Sequence, residues 1–236
     1  MVYRRAMTQP PAVGVPVQPR AARRPEPTTI EGRFVRLRPL DAGRDAAALF
    51  EATHGAGEQV WAYLADGPYA SRQEFEEALA AKATSADAAF EAIVDRASGI
   101  TQGYASFMRI DVPNRVVEVG NVLFAPPLQA TTGATEAMYL MARHAFEALG
   151  YRRYEWKCND LNAPSRRAAL RLGFTYEGTF RQHMIVKGRN RDTAWYAMLD
   201  SEWPRVKAAF EAWLSPHNFD RGGRQKQRLE EFRSRE

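Results

Sequence analysis

The chain of 236 residues (26.6 kDa) is 45% hydrophobic, enough for one substantial core, and no apolar run approaches the roughly 20 residues that cross a bilayer. A single cysteine, Cys158, excludes an internal disulfide framework and suits a reducing, cytoplasmic setting. Most of the net charge of +5 sits in the first 27 residues, where five arginines face one glutamate; the remainder is near neutral, which argues against a basic nucleic-acid-binding face.

Residues 1–28, rich in Pro, Ala and Arg, lack apolar periodicity and are expected to be a disordered tail, unable to offset an ordering cost of about 1–2 kcal/mol per residue. No hydrophobic stretch follows Arg4 and Arg5, so no secretory signal is expected. Alternation over 30–38 predicts a strand, and Asp41 is placed to cap a helix running to about Thr53. Ser71-Arg-Gln-Glu74 is a capping box for a helix to about Ala83. Three strands follow at 88–94, 100–110 and 115–124, then a helix from Thr132 to Leu149 stopped by Gly150. Strand 153–158, helix 163–172 and strands 174–182 and 192–200 complete the core, and Gly188–Asp192 resembles a hairpin turn into the last long strand. Beyond Pro204, Val206, Phe210, Trp213 and Leu214 mark an amphipathic helix. The pattern gives an α/β (α+β) class, with two βα units inside a largely antiparallel sheet. It reads as one domain over 29–214, followed by a charged, flexible tail at 215–236.

Functional signal is concentrated between Val116 and Gly173. A strand ends at Ala125-Pro126-Pro127, and Gln129 to Thr135 then form a small-residue loop opening a helix, an arrangement suited to phosphate. A second helix entry, Asn162-Ala-Pro-Ser165, offers an amide and a hydroxyl. Together they suggest a long phosphorylated cofactor with its reactive end near Ser165. No His/Cys/Asp spacing suggests a metal site.

From Ile30 to Pro204 the chain resembles the GNAT superfamily of acyl-CoA-dependent N-acyltransferases, and within it the ribosomal-protein alanine N-acetyltransferases. The resemblance is carried by Ala134-Thr-Glu-Ala137, Trp156-Lys-Cys158, Asn162-x-x-Ser165, Leu172-Gly-Phe174, Glu177-Gly178 and Arg181-Gln182, in that order. It implies a twisted, mostly antiparallel mixed sheet with helices on both faces and a splayed strand pair. It also implies acetyl-CoA as co-substrate and a primary amine, on a protein N-terminus or a small molecule, as acceptor. A non-catalytic acyl-CoA-binding module is the alternative, and the resemblance is compatible with a homodimer.

By the same resemblance, backbone groups of Val122, Leu123 and Phe124 hold the pantetheine arm and polarise the thioester carbonyl. Gln129, Ala130, Thr131, Thr132, Gly133, Ala134 and Thr135 cradle the pyrophosphate. Asn162 contacts a pantetheine amide, and Ser165 protonates the departing thiolate. Two positions depart from the pattern: Thr132 stands where the loop's central glycine belongs, and Met184 where the ribosomal subgroup has its catalytic Glu. The general base is therefore left among Glu118 on the splayed strand, His183 and ordered water. Strand alternation turns His183 away from the acceptor side unless a bulge shifts it. His144, Cys158 and Asp192 are read as structural, while Trp61, Tyr63, Tyr69 and Arg181 are expected along the acceptor cleft.

Overall fold

A computed structural model describes residues 13–233. Its elements, in chain order, are β1 (Ile30–Glu31), β2 (Val35–Pro39), α1 (Ala42–Thr53), α2 (Arg72–Ala83), β3 (Ala89–Asp95), β4 (Thr101–Asp111), β5 (Val116–Phe124), α3 (Thr132–Arg143), β6 (Arg153–Asn159), α4 (Ala163–Leu172), β7 (Thr175–Val186), β8 (Arg189–Leu199), α5 (Trp203–Leu214) and α6 (Leu229–Arg233). A short 3₁₀ stretch, Gly55–Trp61, follows α1. The strands form one sheet in the order β1-β2-β3-β4-β5-β6-β8-β7. Only β5 and β6 pair in parallel; every other named pairing is antiparallel.

The first four helices each begin where a short polar side chain takes over an orphan N–H. Asp41 accepts from Arg44 N–H in α1, Ser71 from Glu74 in α2, Thr131 from Ala134 in α3 and Asn162 from Ser165 in α4. Gly173, at φ 100°, closes α4 in a left-handed conformation that costs a glycine little. The last turn of the predicted 132–149 helix widens into a π-turn, His144–Ala148, in which His144 packs beside the ring of Phe107.

The sheet separates two apolar layers. On one face Val35, Ile93, Phe107, Val119, Tyr154 and Trp156 pack against α3, α4 and α5. On the other, α1 and α2 bring Leu49, Phe75 and Leu79 against Ala92, Tyr104 and Leu123. Asp45, fully buried, bridges α1 to β2 and β4: it pairs with both Arg38 nitrogens at 2.9 and 2.6 Å and accepts from the Thr101 hydroxyl at 2.6 Å.

Three expectations are corrected. The last hairpin turns at Lys187-Gly188, not over 188–192, because β7 and β8 stay paired out to Val186↔Arg189. The first segment is held down in part: Ala22 is buried and Arg23 N–H donates to the Leu149 carbonyl at 2.9 Å. Residues 1–12 lie outside the described residues. The C-terminal segment is also anchored, with Leu229 fully buried and the Arg233 guanidinium donating to the Leu170 and Arg171 carbonyls at the end of α4.

Candidate active site

A fork in the sheet organises the site. β5 and β6 are paired from Val116↔Arg153 to Val119↔Trp156, and there the ladder stops. Beyond it β5 continues with β4 as far as Phe124, while β6 continues with β8 as far as Asn159. The divergence has a local cause. Between the pairs Ser106↔Gly120 and Tyr104↔Leu123, β5 carries a bulge with Asn121 at φ 50°, and the Asn121 amide is tied to the Ser106 hydroxyl at 3.0 Å. Val122, Leu123 and Phe124 thus border one arm of the fork, and Lys157, Cys158 and Asn159 the other.

β5 leads straight into the predicted loop. The Gln129 side-chain amide donates to the Phe124 carbonyl at 2.8 Å, and Ala130 takes a left-handed turn at φ 57°. The Thr131 hydroxyl donates to the Leu128 carbonyl at 2.7 Å and accepts from Ala134 N–H at 3.1 Å, so it is used within the loop. Among the described residues, no protein group accepts from the first-turn N–H groups of Thr132 and Gly133. Gly133 has a packing reason to be glycine: a Cβ there would sit 3.0 Å from Val35 Cγ1. Thr135 Oγ1 accepts from Arg171 of α4 at 3.0 Å, which joins the two helix entries.

At the second entry the side-chain carbonyl of Asn162 caps α4 by accepting from Ser165 N–H at 3.1 Å. The Ser165 hydroxyl oxygen accepts from Trp156 Nε1 at 3.0 Å, which leaves its hydrogen to be donated. Cys158 is buried, and desolvation pushes its thiol pKa up, only partly offset by the neighbouring Ser165 hydroxyl. Such a thiol is not an activated nucleophile.

Glu118 lies on the opposite face of the sheet from Val117 and Val119, at the last rungs before the fork. Its Oε2 is in ion-pair contact with Lys157 at 2.9 Å and Arg109 at 3.0 Å. Its Oε1 faces Gly120, where β5 leaves β6: a Cβ built there would lie 3.3 Å away. Desolvation raises the Glu118 pKa, with Lys157 opposing. Lys157 also pairs with Glu155 at 2.7 Å and stands 3.8 Å over the Trp195 ring.

Strand alternation turns His183 away only where β7 is regular, and β7 is not regular there. A second irregularity interrupts β7 between Phe180↔Thr193 and Met184↔Arg191, with Gln182 at φ 50°. Asp192 builds it, its carboxylate accepting from Gln182 N–H at 2.7 Å and from the Asn190 amide at 3.0 Å. The shift sets His183 Nδ1 3.0 Å from Thr193 Oγ1, beside Phe180 and Trp195. Burial, then Arg109, Arg191 and Lys157, lower the His183 pKa and favour the neutral imidazole. The bulge residues Phe180 to His183, with Asn190 and Asp192, line an open pocket there.

The acceptor side differs from expectation at two aromatics. Trp61 is fully buried, its indole N–H donating to the Thr53 carbonyl at 3.0 Å, and it packs with His54, Tyr69 and Phe75 under the α1–α2 layer. Tyr69, half-buried in that cluster, gives its hydroxyl to Asp66 at 2.6 Å. Tyr63 does reach across, its hydroxyl donating to the Leu161 carbonyl between β6 and α4 at 3.1 Å. Lys187, in the β7–β8 turn, donates to the Trp61 carbonyl at 2.8 Å.

A forked parallel pair, a bulge on its first strand and a helix N-terminus immediately after it together define an acyl-CoA N-acyltransferase fold. Residues 35–175 match the family described as Acetyltransferase (GNAT) domain, and the chain belongs to that family. It is similar to YdaF of Bacillus subtilis (strain 168), which carries a provisional description as a ribosomal N-acetyltransferase; they are 30% identical over 105 residues, 44% of this chain and 57% of that relative's length. The crystal structure of a GCN5-related N-acetyltransferase from Brucella melitensis superposes with a TM-score of 0.88 at 50% identity, covering 90% of this chain and 97% of that one. A spermidine N-acetyltransferase from Vibrio cholerae, solved with CoA and spermine, shares the fold at a TM-score of 0.59 and 19% identity, over 72% of this chain and 98% of that one.

Among the described residues, no helix is long and apolar enough to cross a membrane, and no group of three or more His, Cys, Asp or Glu residues could hold a metal ion.

Proposed function

We propose that this protein is a cytoplasmic N-acetyltransferase that passes the acetyl group of acetyl-CoA to a primary amine, on a protein N-terminus or a small molecule, by direct attack in a ternary complex. The observation that carries this reading is the fork: two strand edges part beyond Val119↔Trp156, and the wider end leads into the first turn of α3, where the N–H groups of Thr132 and Gly133 are unengaged. Acetyl-CoA, when bound, supplies the activated acyl group. The edge at Val122, Leu123 and Phe124 would hold the pantetheine arm and offer N–H groups to the thioester oxygen. Gln129 to Thr135 would take the pyrophosphate, aided by the helix dipole. The Asn162 side-chain N–H groups face the arm, and the Ser165 hydroxyl gives its proton to the leaving sulfur.

Glu118 Oε1 is the proton acceptor in this reading. The amine nitrogen bonds to the acetyl carbon and the carbon–sulfur bond breaks; one amine proton passes to Glu118 and the Ser165 proton to sulfur, and the Glu118 proton then returns through solvent to the Ser165 oxygen. Arg109 and Lys157 hold Oε2, fixing the carboxylate so that Oε1 looks into the fork. His183 favours a second reading of this one step, because the β7 bulge sets a neutral imidazole on the same face.

The test is calorimetry with acetyl-CoA, followed by thiol release over a broad amine panel. Glu118→Gln is expected to lower kcat about a hundredfold with acetyl-CoA affinity kept. If turnover survives in Glu118→Gln and is lost in His183→Gln, the base role moves to His183. Absence of acetyl-CoA binding would overturn the whole reading.

A further inference from the structure

The sheet face around Glu118 carries an uneven set of charges. Arg109, Glu118, Lys157, Glu155, Arg153 and Glu177 form a continuous run of ion pairs, three cations with three carboxylates, at 2.5 to 3.0 Å. Arg191 stands outside that run. Among the described residues it has no ion pair, and its Nε is buried without a hydrogen-bond partner. On β8 it comes two residues before Thr193, which pairs with Asn159 at the end of β6. It therefore shares a face with Thr193 and Trp195. Burial lowers the pKa of its guanidinium, which lies within electrostatic reach of Glu118 and Arg109. Arg109 and Lys157 are already paired with carboxylates of that run, and Glu118 and Glu155 are taken up by them.

A buried N–H without a partner is costly, and a guanidinium matches a carboxylate better than any other side-chain cation does. We infer that Arg191 receives a carboxylate carried by the acceptor, so that the substrate is an amine bearing a carboxylate: an amino acid, or a peptide with an acidic residue beside its N-terminal amine. The amine end of such a molecule meets Glu118, and its anionic end meets Arg191. A polyamine would set further ammonium groups against Arg191, Arg109 and Lys157. The inference rests on the acetyl-transfer reading of the same fork.

The experiment compares matched acceptors on the full-length chain by thiol release: glycine, β-alanine and γ-aminobutyrate against their amides, a peptide with Asp at its second position against one with Asn, and spermidine. The best acid is expected to exceed its amide by about tenfold or more in kcat/KM, with spermidine poorest. Whether the amino acids or the Asp peptide lead identifies the source of the carboxylate. Arg191→Gln should erase the acid preference through KM while acetyl-CoA affinity stays unchanged, and Arg191→Lys, which keeps the charge without the fork, should keep part of it. Calorimetry of the best acid into CoA-loaded protein gives a readout independent of turnover: binding lost in Arg191→Gln supports the inference, and equal binding, or none, overturns it. Amides matching acids, spermidine leading, or an Arg191→Gln variant that loses acetyl-CoA affinity yet keeps acid preference also overturn it. Failure of wild-type protein to bind acetyl-CoA overturns the acetyl-transfer reading and this inference with it; intact acetyl-CoA binding with any of the adverse patterns overturns this inference alone.

Discussion

Ser165 shows how one oxygen serves both structure and chemistry. It accepts from the Trp156 indole, which leaves its own hydrogen free to be donated. Removing the hydroxyl leaves the indole N–H without its partner, at a cost of about 1–3 kcal/mol, and removes the proton offered to a leaving sulfur. Ser165→Ala is therefore expected to lower kcat about a hundredfold while the acetyl-CoA dissociation constant changes less than about threefold, measured by stopped-flow thiol release and calorimetry. Unchanged kcat would assign the hydroxyl to support of Trp156 alone. At this scale the sequence was legible where spacing follows the chain: Asp41 and Ser71 cap α1 and α2 as their spacing suggested. It was not legible at His183, because a bulge inverts the side-chain alternation and the residue that builds it, Asp192, acts from the neighbouring strand. Trp61 was ambiguous for a different reason. Its aromatic character fits a cleft or a core equally well, and only the packing of α1 and α2 decides for the core.

The element that positions the loop is α3, and it is fastened by a residue inside the motif that carried the resemblance. Glu136 of Ala134-Thr-Glu-Ala137 does not face a ligand. Its carboxylate accepts from the backbone N–H groups of Arg33, Phe34 and Val35 at 2.8, 2.6 and 2.9 Å, pinning α3 to the turn that enters β2. Hydrogen bonds to a charged acceptor contribute about 1.5–3 kcal/mol each before coupling among them is counted. Glu136→Ala is expected to lower stability by about 3 kcal/mol and to weaken acetyl-CoA binding indirectly, by loosening the first turn of α3; Glu136→Gln, which keeps an acceptor oxygen, should recover part of both. Urea unfolding beside calorimetry checks this, and a loss below about 1 kcal/mol would show that the turn holds without the helix. Helix starts were readable because caps are local. The lengths of β7 and β8 were not, because a strand's extent depends on its partner: the charged run 187–192 has the composition of a loop, yet Arg189 to Asp192 remain in the ladder as part of β8.

At the scale of the whole molecule, the class of fold was legible from the order of strand and helix signals, while the two ends were not. Ala22 and Leu229 each bury one apolar side chain within a polar stretch, a signal too sparse for periodicity to register. A further whole-molecule property comes from Glu91, a carboxylate that the fork does not use. Glu91 lies on β3 on the same face as Ile93, between Pro39 of β2 and Ala105 of β4, and is 3% exposed. Its Oε2 has no partner among the described residues, and desolvation alone lifts its pKa to about 8 from an ordinary 4.5. The folded protein therefore holds a proton there that the unfolded chain releases above about pH 4.5. Because the folded pKa is the raised one, this contribution to stability is fully present below pH 4.5 and declines up to about pH 8. The slope within that window approaches about 1.4 kcal/mol per pH unit. Glu91→Gln keeps the shape and removes the proton equilibrium, so the variant should match the wild type near pH 5 and exceed it by roughly 2–4 kcal/mol at pH 8. Urea unfolding at both pH values in the two proteins checks this. Parallel stability curves would show that Glu91 is ionised inside the fold, with a compensating charge brought close enough to hold it.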